Sequence, residues 1–260
     1  MSSSAQRKLA RGIKHVKTLR RQAASFESAD AYIFGVQRDL EPAKRVECRC
    51  YAEERQAPPD HWPLLAGEAI QNLRSALDHV VWASWEDAGG IGDGDHVKFP
   101  IAVDINDFKS QAGNMLRGVP KPIWTLIEGA QPYQRAPTAP PDEALYVLRS
   151  LSNIDKHRTL AAIAVAVEHE ILHHRTGIEF EYKEFATNKP LGHGKTEVSW
   201  FVATSETEIL AVDVYPEFTY EVRIEGMPMD TLVWIARRVF ESVTSVETGQ
   251  RLHPFATYPI

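Results

Sequence analysis

Cysteine is nearly absent from this chain. Only Cys48 and Cys50 occur in 260 residues. Two cysteines cannot build a disulfide framework, and a reducing cytoplasm is the simplest home for them. Long apolar runs are missing too. No stretch approaches the ~18 uncharged apolar residues that a membrane-spanning helix needs, which excludes an integral helical membrane protein. The opening MSSSAQRKLARGIKHVK lacks the apolar core of a secretory signal. Acid is missing from residues 1–26, which hold seven basic side chains: Arg7, Lys8, Arg11, Lys14, Lys17, Arg20 and Arg21. The rest carries 22 Lys and Arg against 35 Asp and Glu, a balance of −13 hidden beneath the net charge of −6.

What is present reads as an ordinary globular chain, 43% hydrophobic and 25% charged, long enough to bury a core unaided. In the basic segment Leu9, Ile13, Val16, Leu19 and Ala23 recur at helical spacing. They predict an amphipathic helix over 1–26 with a basic outer face. Such a face suits phosphate contacts, or simply solvation against an acidic body. Extended segments follow at Ala31–Val36 and Lys44–Glu53, with Glu41-Pro42 as the turn between them. Val46, Cys48, Cys50 and Ala52 share one face of the second. Both thiols are expected to be small buried residues there, not metal ligands.

After the breaker APPDHWP (57–63), Leu65 to Glu86 reads as a strong helix with Ile70, Leu73, Leu77, Val80 and Val81 inward. Shorter helices are expected at Ile105–Leu116 and Lys121–Glu128. Gln131 to Pro141 holds four prolines and is expected to be irregular. A helix capped by Asp142 runs to His157, with Leu145, Leu148, Leu151 and Ile154 inward. From Leu160 the period changes to two. Ile163, Val165 and Val167, then Ile178, Phe180 and Tyr182, then Val198, Trp200 and Val202 mark strands, as does Val214–Ile224. A turn is expected at Pro190–Gly194, and a last helix spans Met229–Val246. The reading is one α+β domain over 1–260: a helical core across 27–160 that includes a β-hairpin near 31–54, an antiparallel meander over 161–227, and a C-terminal helix and tail over 228–260.

Two polar blocks stand out. In the Leu65 helix, Asn72, Ser75 and His79 form one lane at spacings of three and four. Gln71, Arg74 and Asp78 form another, with Arg74 and Asp78 placed for an i,i+4 ion pair. At the end of the Asp142 helix come Asn153, Asp155, Lys156, His157 and Arg158, whose cations suit a helix C-terminus. One reading of both blocks is an interhelical polar network that fixes how two core helices pack.

The blocks NLRSALDH (72–79) and LSNIDKHR (151–158) resemble those of a large group of uncharacterised bacterial proteins of similar length. The resemblance covers both blocks and the short Phe99-Pro100-Ile101 between them. It implies a shared fold and brings no established activity. Arg74-x4-His79 is in turn similar to the R-x4-6-H signature of HEPN-domain ribonucleases, small helical bundles that usually dimerise. That resemblance implies RNA as partner, a homodimer, and cleavage without metal or cofactor. His79 would be the general acid/base and Arg74 would hold the scissile phosphate. Asn72, Ser75, Asp78 and the Asn153–Arg158 block would support them. Ser75 stands where many members have Asn, Asp or His, and the β half is no part of a HEPN bundle. Five residues of an ideal helix also turn through about 140°, so Arg74 and His79 do not share a face without a kink, a wrapped side chain or a second subunit.

Two further motifs have other readings. His169-Glu170-Ile171-Leu172-His173 matches H-E-x-x-H, which on a helix would bind zinc through His169 and His173 with Glu170 as base. Its surroundings alternate like a strand, however. Gly194-Lys195-Thr196 resembles the end of a P-loop but leads into a strand pattern, whereas phosphate cradling needs a helix N-terminus. Trp82 and Trp85, beside His79, are expected to be packing residues. A non-catalytic binding or interaction protein with structural polar blocks is thus the alternative to an RNA-directed one, and a zinc hydrolase the third reading.

Overall fold

The computed structural model describes residues 3–39, 44–173, 177–184, 188–207, 209 and 214–251; for 167–173, 183–184 and 214–217 it describes the backbone only. The turn assigned to Glu41-Pro42 lies outside the described residues. The fold is α+β. Where the sequence suggests one domain, the chain divides into two compact units that interleave along it. The first takes residues up to Arg20, His61–Leu160 and those from Met229 on. The second takes Arg21–Asp60 and Ala161–Pro228.

The first unit is helical. It holds most of α1 (Ser4–Glu27), then α2 (Trp62–Asp87), α3 (Ile105–Met115), α4 (Lys121–Gly129), the short α5 (Pro132–Arg135), α6 (Ala144–His157) and α7 (Met229–Thr248). Leu9, Ile13, Val16 and Leu19 of α1 are buried while Arg7, Arg11, Lys14, Lys17 and Arg20 are exposed, as an amphipathic helix requires. Gly12 lets α1 lie close against α2. A Cβ there would sit 2.8 Å from Leu73 Cγ and 3.2 Å from the Leu73 backbone nitrogen. α2 begins at Trp62, before the expected Leu65, because Pro63 falls in its first turn, where a missing N–H costs nothing. Its buried stripe packs on α6 and α7. α6 is capped by Glu143 and not by Asp142: the Glu143 carboxylate accepts from Leu145 N at 2.7 Å, and Asp142 closes a preceding 3-10 turn, Pro140–Asp142. The proline-rich stretch therefore holds a helical turn on each side of Pro137. Among the described residues no helix is long and apolar enough to cross a membrane.

The second unit holds two four-stranded antiparallel sheets. β1 (Tyr32–Asp39), β2 (Arg45–Glu54), β6 (Lys195–Ser205) and β4 (Ile178–Glu184) lie in that order in one. β5 (Lys189–Leu191), β3 (Ala162–His173), β7 (Val214–Ile224) and β8 (Met227–Pro228) form the other. This corrects the meander: β3 pairs with β7 and not with β4, and β6 lies between β4 and the N-terminal hairpin. The hairpin thus belongs to a sheet and not to the helical core. A lone two-stranded hairpin is marginal, and β6 supplies the third strand that covers the open edge of β2. Pro190 and Leu191 extend as β5, so the expected turn shrinks to 192–194. A bulge opposite Cys50 and Tyr51 skips Val198 and changes the alternation of β6. Val198 and Val202 are buried as the sequence pattern expects, but so are Ser199, Phe201 and Ala203, and Trp200 is only half-buried. The end of α1, from Arg21 to Glu27, belongs to this unit, where Tyr220 Oη donates to Phe26 O at 2.9 Å and accepts from Ala31 N at 3.2 Å.

Cys48 and Cys50 lie side by side on the fully buried face of β2, between Val46 and Ala52. Burial pushes the Cys48 thiol up to about 11 and the Cys50 thiol up to about 12. An unfolded thiol ionises near pH ~8.5. The stability these thiols contribute is therefore fully present below that pH and is lost as pH rises through their folded values, because only the unfolded chain can then shed the protons. Native protein at pH 8 should resist an aromatic disulfide reagent at both thiols until denaturant is added. Rapid labelling of the folded protein would contradict their burial.

Candidate functional site

The polar residues of α2 separate onto two sides of the helix, and the two sides do different things. On one side Arg74 Nη2 donates to Asp78 Oδ1 at 2.9 Å and to the Phe99 carbonyl at 2.7 Å. Asp78 Oδ1 accepts in turn from Phe99 N at 2.9 Å. The ion pair therefore grips both backbone groups of one residue. The next residues are held the same way. Gln131, fully buried, donates to Pro100 O at 3.0 Å and accepts from Ala102 N at 2.8 Å. Arg149 Nη1 and Gln111 Nε2 donate to Ile101 O at 2.8 and 3.1 Å.

Phe99-Pro100-Ile101-Ala102 is thus a buried, non-helical segment outside both sheets, five of whose backbone groups are held by side chains from the surrounding elements. Buried N–H and C=O groups must find partners, and this segment finds them in Arg74, Asp78, Gln131, Arg149 and Gln111. Burial draws the Arg74 guanidinium below its usual range and Arg149 adds to this, while Asp78 opposes both. Gln71, on the same side, donates to Asp155 Oδ2 at 3.0 Å and so ties α2 to α6.

On the other side, Asn72 and His79 face α1. With Glu68 they meet Arg7, Lys8 and Arg11 along an open groove of about 500 Å³. The side chain of Asn72 donates to Glu68 O at 2.7 Å, and Glu68 Oε2 lies 3.4 Å from His15 Nε2 of α1. Ser75 is half-buried in the lane between Asn72 and His79.

The candidate residues therefore do not converge. Arg74 and Asp78 hold Phe99, while His79 and Asn72 line the α1 groove; the helical rotation between positions 74 and 79 keeps the pair apart within the chain. In the second block Asp155 joins Gln71, but Asn153, Lys156, His157 and Arg158 are exposed around the C-terminus of α6. His169 and His173 lie in β3, opposite Phe218 and Val214. Four residues of strand span about 13 Å, so this motif lacks the one-turn spacing that places two imidazoles on one zinc. Among the described residues no group of three or more His, Cys, Asp or Glu is arranged to hold a metal ion. Trp82 and Trp85 pack on each other with ring centroids 5.2 Å apart, and Trp85 is buried.

Gln131, Arg149 and Gln111 escape a motif reading because each lies far in sequence from the backbone it holds. The signal for Gln131 is a polar residue in the two-residue link between α4 and α5. No family model, curated protein or solved structure matches the chain.

Proposed function

We propose that this protein binds RNA along the α1–α2 groove. The observation that carries the reading is that Arg7, Lys8 and Arg11 meet Asn72 and His79 there, beside Glu68, in a protein of net charge −6 whose first 26 residues hold no acid. Arg7, Arg11 and Lys14 follow one another about a helical turn apart on the exposed face, a ladder of cations for a phosphate backbone. Asn72 offers amide groups for base or ribose edges, and His79 a group that can donate or accept a proton. Arg74 plays no part in this contact, because its guanidinium holds Asp78 and Phe99. Any metal-independent cleavage would rest on His79 with Arg7 or Arg11 at the phosphate. One chain completes the groove; the homodimer that the HEPN resemblance implies is not required for it.

The alternative of a non-catalytic interaction protein gains support from the Phe99 clamp, which gives the Arg74–Asp78 half of the first block a structural task. The two readings part on one experiment. Fluorescence anisotropy with a labelled single-stranded RNA should show binding that Lys8→Glu with Arg11→Glu weakens roughly tenfold or more at fixed salt. Both positions flank solvent, so thermal stability should hold. Incubation of the same RNA in EDTA with wild type and His79→Ala then tells cleavage from binding alone. Equal affinity of wild type and the charge-reversed variant would overturn the proposal.

A further inference from the structure

A second cavity in the helical unit is lined by arginine. It encloses about 210 Å³ where the C-terminal end of α4, α5 and the second half of α7 come together. Arg135, Arg238 and Arg251 line it, with Gln134 and Ser245 as neutral donors. Arg238 is buried and fully engaged: Nε on Glu143 at 2.6 Å, Nη1 on Glu241 at 2.6 Å and Nη2 on Ala130 O at 2.8 Å. Arg135 Nη2 lies 3.3 Å from the same Glu241 carboxylate. Three guanidiniums thus stand around two carboxylates, an excess of one positive charge. Arg251 has no carboxylate partner among the described residues, and its guanidinium lies over Gly129, where any Cβ would collide with it. Arg135 is lowered by burial first, then by the neighbouring Arg238, against Glu241, and Arg251 lowers it further. Cations crowded this way are relieved by an anion.

The geometry points to a binding site for the phosphoryl group of a small molecule, held by Arg135 and Arg251 on a floor fixed by Arg238. Guanidinium forks match phosphate oxygens in pairs, and the buried Glu143–Arg238–Glu241 chain prearranges the floor before a ligand arrives. The cavity is sized for a phosphoryl group on a small organic part, and it is separate from the α1–α2 groove.

Isothermal titration of the full chain with inorganic phosphate and with phenyl phosphate tests this. One saturable site per chain is expected. Arg135→Gln and Arg251→Ala should each weaken it roughly tenfold. Gly129→Ala should weaken it several-fold by displacing Arg251, with the melting temperature unchanged. Tighter binding of the ester would assign the site to small phosphate esters, and equal binding to the free ion. Lys8→Glu should leave it untouched, so this site and the RNA groove stand or fall separately. Lack of saturation by either probe up to about 10 mM would overturn the inference. So would affinity that ignores Arg135→Gln and Arg251→Ala, or a site that takes only an RNA oligonucleotide.

Discussion

Glu143→Ala should lower the unfolding free energy by about 4 kcal/mol, the largest loss expected from any single change considered. Two terms add. Glu143 caps α6 through Leu145 N, and loss of such a cap costs about 1 kcal/mol. Glu143 also neutralises Arg238, and both side chains are less than a tenth exposed. Removing one partner of a buried pair leaves the other charge uncompensated, typically about 3–5 kcal/mol. Glu241 stays on Arg238 Nη1 and keeps the loss toward the low end. The double variant Glu143→Leu with Arg238→Met should recover part of it, because a buried pair exchanged for apolar bulk is often near neutral. Urea unfolding monitored by circular dichroism reads all three proteins. A loss under about 1 kcal/mol for Glu143→Ala would show that the pair carries no weight beyond the cap.

Asp78→Ala comes next, at about 3 kcal/mol. Its carboxylate accepts from Arg74 and from Phe99 N, so truncation leaves a mostly buried guanidinium and a buried amide without that partner. Partial exposure of the pair, 19% for Arg74 and 29% for Asp78, places the cost below that of Glu143. Asp78→Asn retains an acceptor for Phe99 N and should cost about 1 kcal/mol. RNA affinity should not change in a folded Asp78 variant, because Asp78 faces away from the groove. If Asp78→Ala retained full stability but lost RNA-directed activity, the block would be catalytic and the clamp incidental.

These two networks also mark where sequence reading succeeds and where it stops. Periodicity reports which face of an element is buried, so Leu9, Val16 and Leu19 of α1 and Ile70, Leu73, Leu77 and Val80 of α2 are legible at once. It does not report which element lies opposite. Strand β6 alternates clearly, yet nothing in its own residues says that it pairs with Arg45–Glu53. Polar residues in cores are harder still. Glu143 and Arg238 are 95 positions apart, and Gln131 meets Ala102 across 29. Neither distance leaves a local pattern. The NLRSALDH block was conspicuous for a physical reason, but that reason is double: one side of the helix holds Phe99 and the other faces α1. A motif quoted as a string merges two faces that the helix separates.

The most direct test of the central claim is the salt dependence of RNA binding by wild type and by the triple variant Arg7→Gln, Lys8→Gln, Arg11→Gln. Each phosphate contact on a single strand contributes about 0.7 to the slope of log affinity against log salt concentration. The α1–α2 groove predicts that the variant's slope is shallower by about 2, with unfolding unchanged. Identical slopes for the two proteins would contradict it.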